Sequence, residues 1–389
     1  MRIRSHLPRV AVLIETSTSW GREVIRGIHK YTENRRPWQL YIETHSSAVS
    51  YTVPRQWEGD GMIARIASEP MLSELLALRL PLVNVSAIQL PGMDLPRVQH
   101  DTSKGAQMAA RYFFDRGFRH FAYFSLLGFS YVATHEESFR EEVRAIGGQY
   151  FLYEVKAHHP DAPDWNLDEE HLASWLRGLP KPVGLLVWNA HSGRQIVYAC
   201  QRAGLRIPED IALLSGADDD LLCELSHIPI SSMRIACEQI GFQAAEILDR
   251  LMRGERVEAS PVLVPPTSII SRRSTNLIPF PDQTVVAAMQ FIRANAARPI
   301  QVPDVARHVG VARRVLERRF IAVVCRTPAA EIRRVHLERA QQLLGETDRA
   351  IPEVAEASGF GSPEYMAQLF KAEWGQSPLQ YRKMTRGQC

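Results

Sequence analysis

Along the first 275 residues, short and nearly continuous apolar runs alternate with longer amphipathic ones. Val10–Ile14 precedes a stretch from Gly21 to Tyr31 whose apolar positions recur at helical spacing. Gln39–Glu43, Gly61–Ala64 and Leu82–Val85 read as further strands. A helical stretch from Ser103 to Arg116 leads into Phe121–Phe124, and Gly184–Asn189 leads through a helix from His191 to Ala203 into Ile211–Ser215. Strands that are apolar at every position are buried on both faces, so this rhythm predicts parallel sheets covered by helices.

The segment from Thr275 to Asp282 breaks the pattern, because Pro279 and Pro281 stop any helix. Beyond it the strand signals vanish. The expected organisation is a sensor-sized α/β region over residues 1–275, a linker over 276–284 that few contacts should cross, and a helical domain over 285–389. The helical domain repeats itself. Val305, Ala306 and Gly310 recur as Val354, Ala355 and Gly359 at an offset of 49, and Thr327 and Pro328 recur as Ser377 and Pro378 at an offset of 50. Leu316 and Phe320 are matched by Met366 and Phe370. Each copy is a short helix, a glycine turn and a longer helix with apolar residues four apart, which is the helix-turn-helix pattern. Glycine accepts the left-handed conformation of the turn, the spaced apolar residues seat the second helix on the core, and its polar face is left for a major groove.

Composition alters this picture in one respect. The chain of 389 residues is 45% hydrophobic and 23% charged, ordinary values for a soluble multidomain protein. Its net charge of +3 is unevenly spread. From Leu277 onward 16 Lys and Arg oppose 11 Asp and Glu, whereas the remainder carries 30 basic and 32 acidic residues. A basic excess confined to the repeated domain points to the phosphate backbone of nucleic acid. The basic start at Met1–Arg4 is followed by an apolar run, Val10–Ile14, too short for a signal peptide, and no run is long enough to span a bilayer. Cys200, Cys223, Cys237, Cys325 and Cys389 show neither metal-ligand spacing nor a disulfide framework, so a reduced cytoplasmic protein without metal or cofactor is expected.

The repeated domain resembles the DNA-binding domain of the AraC/XylS family over about residues 285–382. The resemblance is carried by Ile351, Val354, Ala355, Gly359 and Phe360, by the helix from Tyr365 to Lys371, by Gly375, Pro378, Tyr381 and Arg382, and by Arg339, Ala340, Leu343 and Leu344 in the central helix. It implies that Arg313, Arg314, Arg318 and Arg319 in the first unit, and Ser362, Glu364, Tyr365, Gln368 and Lys371 in the second, face double-stranded DNA. Two departures stand out: Ala312 occupies the position of the family's capping Ser, and Cys325 that of a Gly. A missing cap costs roughly 1 kcal/mol.

In the α/β region, polar residues follow the strands at Glu15–Trp20, Asp101, Asn189 and Asp218–Asp220. Ligands of open α/β sheets bind beyond the carboxyl ends of the strands, where carboxylates and amides beside an aromatic ring suit a sugar. Taken singly, each of these residues also reads as a loop cap or turn former. Residues 8–270 resemble the two-lobed, periplasmic-binding-protein-like sensor of the LacI/GalR type, through Gly216–Asp219, Arg140 and Asn189. The resemblance implies a small effector held by Ser17, Ser19, Trp20, Asp101, Arg140, Asn189 and Asp218. It also implies a regulator of sugar catabolic genes, with xylose the first pentose to try and another sugar or a non-sugar metabolite as the alternative. A homodimer and RNA polymerase are the expected protein partners. No glycine-rich dinucleotide loop follows the first strand, no nucleophile elbow is present, and His158–His159 lacks ligand spacing, so an enzyme is not expected.

Overall fold

The computed structural model describes residues 7–42, 57–156 and 169–386. Met1–Arg4, Glu43, His158, His159 and Cys389 lie outside the described residues. The first lobe is built from β1 (Arg9–Leu13), α1 (Ser19–Asn34), β2 (Gln39–Ile42), β3 (Gly61–Ala64), α2 (Glu69–Ala77), β4 (Leu82–Asn84) and β5 (Val98–His100). Its parallel sheet has the order β2-β1-β3-β4. The second lobe comprises α3 (Thr102–Arg116), β6 (His120–Leu127), α4 (Ser130–Ala145), β7 (Gln149–Lys156), α5 (Glu169–Gly178), β8 (Val183–Val187), α6 (Ala190–Ala203), β9 (Ile211–Ser215), α7 (Asp220–Glu224) and β10 (Ser231–Arg234). The chain then returns to the first lobe as α8 (Cys237–Met252) and β11 (Val262–Val264), which pairs with β5, and crosses back as β12 (Ser268–Ile270). The second sheet has the order β12-β10-β9-β8-β6-β7, parallel except where β12 meets β10.

Each lobe has its own core. Val12, Ile14, Val24, Ile28 and Ile63 pack with Ala244 and Leu248 of α8 in the first, and Phe113, Phe121, Tyr123, Leu185 and Leu213 lie at the centre of the second. Helix α8 belongs to the first lobe although it follows the second in sequence. It is held there by a close crossing with α1, where a Cβ on Gly27 would stand 1.9 Å from the Glu238 carbonyl oxygen and one on Gly241 1.9 Å from that of Val24. Only glycine allows the two backbones to approach so closely.

The lobes are joined by three crossovers, at His100–Asp101, Arg234–Ala236 and Val264–Thr267. These crossovers are laced together: the Asp101 amide donates to the Val264 carbonyl at 2.8 Å, and the Thr267 amide to the Arg234 carbonyl at 2.9 Å.

The C-terminal domain is all helix: α9 (Gln283–Ala294), α10 (Val302–His308), α11 (Arg313–Val324), α12 (Pro328–Glu346), α13 (Ile351–Ala357), α14 (Pro363–Trp374) and α15 (Pro378–Arg386). The sequence repeat appears as structure, with α10/α11 and α13/α14 forming the two helix-turn-helix units. Gly310 and Gly359 sit in the turns at φ of 70° and 75°, the left-handed conformation their position predicted.

Residues 276–284 are not a bare tether. Helix α9 begins inside this segment, and Ile278 and Phe280 are buried in the core of the first helix-turn-helix unit. Phe280 also lies against Gly117 at the end of α3, so the few contacts expected across a proline-rich joint are replaced by a packed one. Prolines stop helices here, but apolar side chains between them still seek burial.

Candidate functional site

The carboxyl ends of β1, β3, β8 and β9 open towards the gap between the lobes, as the strand-end rule predicts. The loop after β1 reaches across it: the Ser19 hydroxyl donates to Asp219 Oδ2 at 3.1 Å and to the Asp218 carbonyl at 3.4 Å. Trp20 lies beside Glu23, Asp218 and Arg234 in a small hollow, with the Arg65 guanidinium 5.0 Å from its ring centroid. Glu15, fully buried, is paired with Arg65. Ser17 is exposed on the same loop, and its carbonyl accepts from Arg22 at 3.1 Å.

Asp101 follows β5 and Asn189 follows β8, and both begin helices. The Asp101 carboxylate accepts from the Lys104 amide at 2.9 Å to cap α3, and Asn189 Oδ1 accepts from the Ser192 amide at 3.0 Å to cap α6. The loop-cap reading therefore holds for both residues, since the first amides of a helix need acceptors.

Asp218 is more committed than its motif suggested. Its Oδ1 accepts from both Nη atoms of Arg272 at 3.2 Å and from the Ser232 hydroxyl, and Arg272 also donates to the Ile230 carbonyl at 2.9 Å. Arg272 and Asp218 are largely buried, so this carboxylate already has the donors that burial demands. Asp219 caps α7 through the Leu222 amide and faces the Ser19 loop instead. Arg140 does not join the group. It pairs with Glu137 and, at 3.7 Å, with Glu136, beside Tyr150 of β7. The reason is helical phase: Arg140 follows His135 by five residues, roughly 140° around α4, and it is His135 that turns inward.

His135 belongs to a cluster the sequence pattern did not single out. His135 and Tyr131 of α4, His100 at the first crossover and Trp188 after β8 come together, with ring centroids 5.0 Å (Tyr131), 5.3 Å (His135) and 6.3 Å (His100) from Trp188. The Tyr123 hydroxyl lies 2.7 Å from His135 Nδ1, while the Nε2 atoms of His100 and His135 flank Gly105 and have no hydrogen-bond partner among the described residues. Burial drives both imidazoles towards the neutral form. His100 is lowered to about 4 despite Asp101, and His135 to about 3 with the help of His100. Lone histidines on apolar stretches give no signal in a sequence; only the fold makes them neighbours.

In the first recognition helix, Arg313, Arg314, Arg318 and Arg319 are all exposed. Arg313 pairs with Glu317 at 2.8 Å, and Arg319 is held by Asp282 and Thr284 at the start of α9. Arg314 and Arg318 form no ion pair among the described residues. In the second, Ser362 caps α14 by accepting from the Tyr365 amide, whereas Glu364, Tyr365, Gln368 and Lys371 are exposed on one polar face. The Glu364 carboxyl is held below its usual range by the Ser362 hydroxyl. Ala312, at the equivalent position in the first unit, makes no side-chain cap, and Cys325 closes α11 at φ 59°, where Gly375 closes α14 at φ 71°.

A two-lobed, periplasmic-binding-protein-like sensor joined to two exposed recognition helices defines a DNA-binding transcription regulator. Family models described as Periplasmic binding protein-like domain, Helix-turn-helix domain and XylR N-terminal domain match residues 110–275, 305–384 and 9–101. The chain is 28% identical to the xylose operon regulatory protein of Escherichia coli K12 over 97% of both chains. It is also 28% identical to that of Haemophilus influenzae, over 96% of this chain and 98% of that one. A solved structure of the xylose-binding transcription activator xylR superposes with a TM-score of 0.62 at 27% identity, covering 97% of this chain and 98% of that one.

Proposed function

We propose that this regulator senses a pentose, xylose foremost, in the interlobe cleft, and that lobe closure on the sugar changes how the two recognition helices meet DNA. The observation that carries the coupling is where the helical domain sits. Its last helix and its central helix grip the crossovers that must move when the lobes close: the Tyr381 hydroxyl donates to the Thr267 carbonyl at 2.7 Å, and Glu346 lies 4.0 Å from Arg234. A hinge motion is thereby felt directly by the DNA-binding domain.

In this reading Trp20 covers a face of the sugar. Ser17, Ser19, Asp101, Asn189 and Asp219 supply polar contacts, His100 and His135 offer their unpartnered nitrogens, and Asp218 holds the loop through Arg272. Arg313, Arg314 and Arg318, with the polar face of α14, meet successive major grooves, while Arg319 fixes the helix to α9. The full regulator is a cytoplasmic homodimer that contacts RNA polymerase. Leu221 and Leu225, one helical turn apart and both exposed, support an apolar contact with a second copy. The xylose operon relatives support the choice of sugar, and the neutral Asn189 leaves room for a different hydroxyl pattern. The test is calorimetry of the full chain with D-xylose, L-arabinose, D-ribose and D-glucose, followed by anisotropy on a duplex selected by the chain from a random pool. Pentose binding that alters DNA affinity supports the reading. Absence of pentose binding, or binding with no effect on DNA affinity, overturns it.

A further inference from the structure

A cavity of about 1200 Å³ separates the sensor from the helical domain, away from the interlobe cleft. Its walls come from α3 and β12 on one side and from α9, α12 and the end of α14 on the other. Arg116 of α3, Arg293 of α9 and Arg334 of α12 are among the arginines that line it, and Arg326, just before α12, pairs with Asp115 and Glu331 beside them. Asp115, Glu331 and Glu338 are taken by Arg326 and Arg334. Asp115 accepts from Arg326 at 2.6 Å, the fully buried Glu331 accepts from Arg334 at 2.7 Å and lies 2.6 Å from Arg326, and Glu338 pairs with Arg334. Arg116 and Arg293 form no ion pair among the described residues.

Arg116 is 6% exposed, its guanidinium stacked over the Tyr112 ring at 3.3 Å, with one Nη donating to the Tyr112 carbonyl and its Nε left without a partner among the described residues. Arg293 Nη2 is likewise buried and unpartnered among the described residues. The two like charges, one from each domain, act on each other: burial, and then Arg116, push the Arg293 pKa below its usual value. Two desolvated guanidinium groups with orphaned N–H donors are costly unless an acceptor with negative charge arrives.

We infer that the cavity between the domains is an anion site in which Arg116 and Arg293 together hold the phosphoryl group of a small metabolite. Planar guanidinium donors suit phosphate oxygens, and a dianion would supply the ion pair that both groups lack. The cavity has room beyond a phosphoryl group, which favours a phosphate ester over free phosphate. Because one arginine belongs to the sensor and the other to the DNA-binding domain, the bound anion would fasten the two domains together and so act on the same joint as the sugar, from a separate site.

The test uses the full chain in thermal-shift and calorimetric titrations with inorganic phosphate and with a hexose 6-phosphate, at constant ionic strength set by potassium chloride. Saturable binding is expected, tighter for the ester, and weakened at least tenfold in Arg293→Gln and in Arg116→Gln. Two routes to a variant guard against misfolding at one position. Arg314→Gln/Arg318→Gln, on the exposed recognition helix, should bind the anion as the parent does. The inference is overturned if neither anion binds saturably, or if binding survives undiminished in the Arg116 and Arg293 variants, and loss in the recognition-helix variant would then place the anion on that helix.

Discussion

Acidification from pH 7.5 to 5 tests the buried histidine cluster. His100 and His135 are 7% and 0% exposed, and burial lowers their pKa values to about 4 and about 3, below the 6.5 of the unfolded chain. The unfolded chain therefore takes up protons that the folded chain refuses. Their contribution to stability is complete above pH 6.5 and is lost as the pH falls, until His100 titrates near 4 and His135 near 3. At pH 5 each histidine is 1.5 units below its unfolded value, and at about 1.36 kcal/mol per unit the two together remove about 4 kcal/mol. That is a large share of the ~5–15 kcal/mol that stabilises a domain. His336, lowered mainly by burial, acts in the same direction within the helical domain. Burial would raise the Glu331 carboxyl, but the Arg334 hydrogen bond and the charges of Arg334, Arg326 and Arg293 override it and hold it at about 2. Its contribution is present above its unfolded value near 4.5 and lost only below that, outside this window. Urea unfolding of the full chain, followed by tryptophan fluorescence at pH 7.5, 6.0 and 5.0, should show the sensor transition losing about 4 kcal/mol over this range. In His100→Gln/His135→Gln most of that dependence should disappear. A loss under about 1 kcal/mol between pH 7.5 and 5, or an unchanged dependence in the double variant, would refute the reasoning.

Tyr381→Phe removes the donor to the Thr267 carbonyl and leaves that acceptor unsatisfied at the hinge, at a cost of about 1–3 kcal/mol. It should reduce the ligand-dependent change in DNA affinity several-fold in anisotropy titrations, and an unchanged ratio between sugar-free and sugar-bound affinity would sink the coupling route through this bond. Ala312→Ser supplies the cap that α11 lacks and should stabilise the first helix-turn-helix unit by about 1 kcal/mol in thermal unfolding, with DNA affinity kept or improved. Loss of stability would mean that the helix start is capped by other means.

Much of the fold was legible because it follows from local periodicity. The strands at Val10, Gly61, Leu82, Phe121, Gly184 and Ile211 and the helices between them are apolar at the spacing their geometry requires, and the two helix-turn-helix units repeat their glycine and apolar landmarks at a constant offset. What the sequence could not show was partnership. Asp218 reads as a free carboxylate until β12 and the exit from the sensor bring Arg272 to it, 54 residues away. Arg140 reads as a cleft residue until helical phase turns it towards Tyr150.

The chain by itself determined that a doubly covered parallel-sheet region precedes a repeated helical domain with the basic excess, because burial of strands, helical spacing and charge are properties of neighbouring residues. Tertiary structure alone decided that His100, His135 and Trp188 meet, that α8 returns to the first lobe, and that Arg116 and Arg293 line one cavity at the joint. Those contacts join residues that are remote in sequence. Their energies depend on burial and on which charges are already paired, and neither exists until the chain has folded.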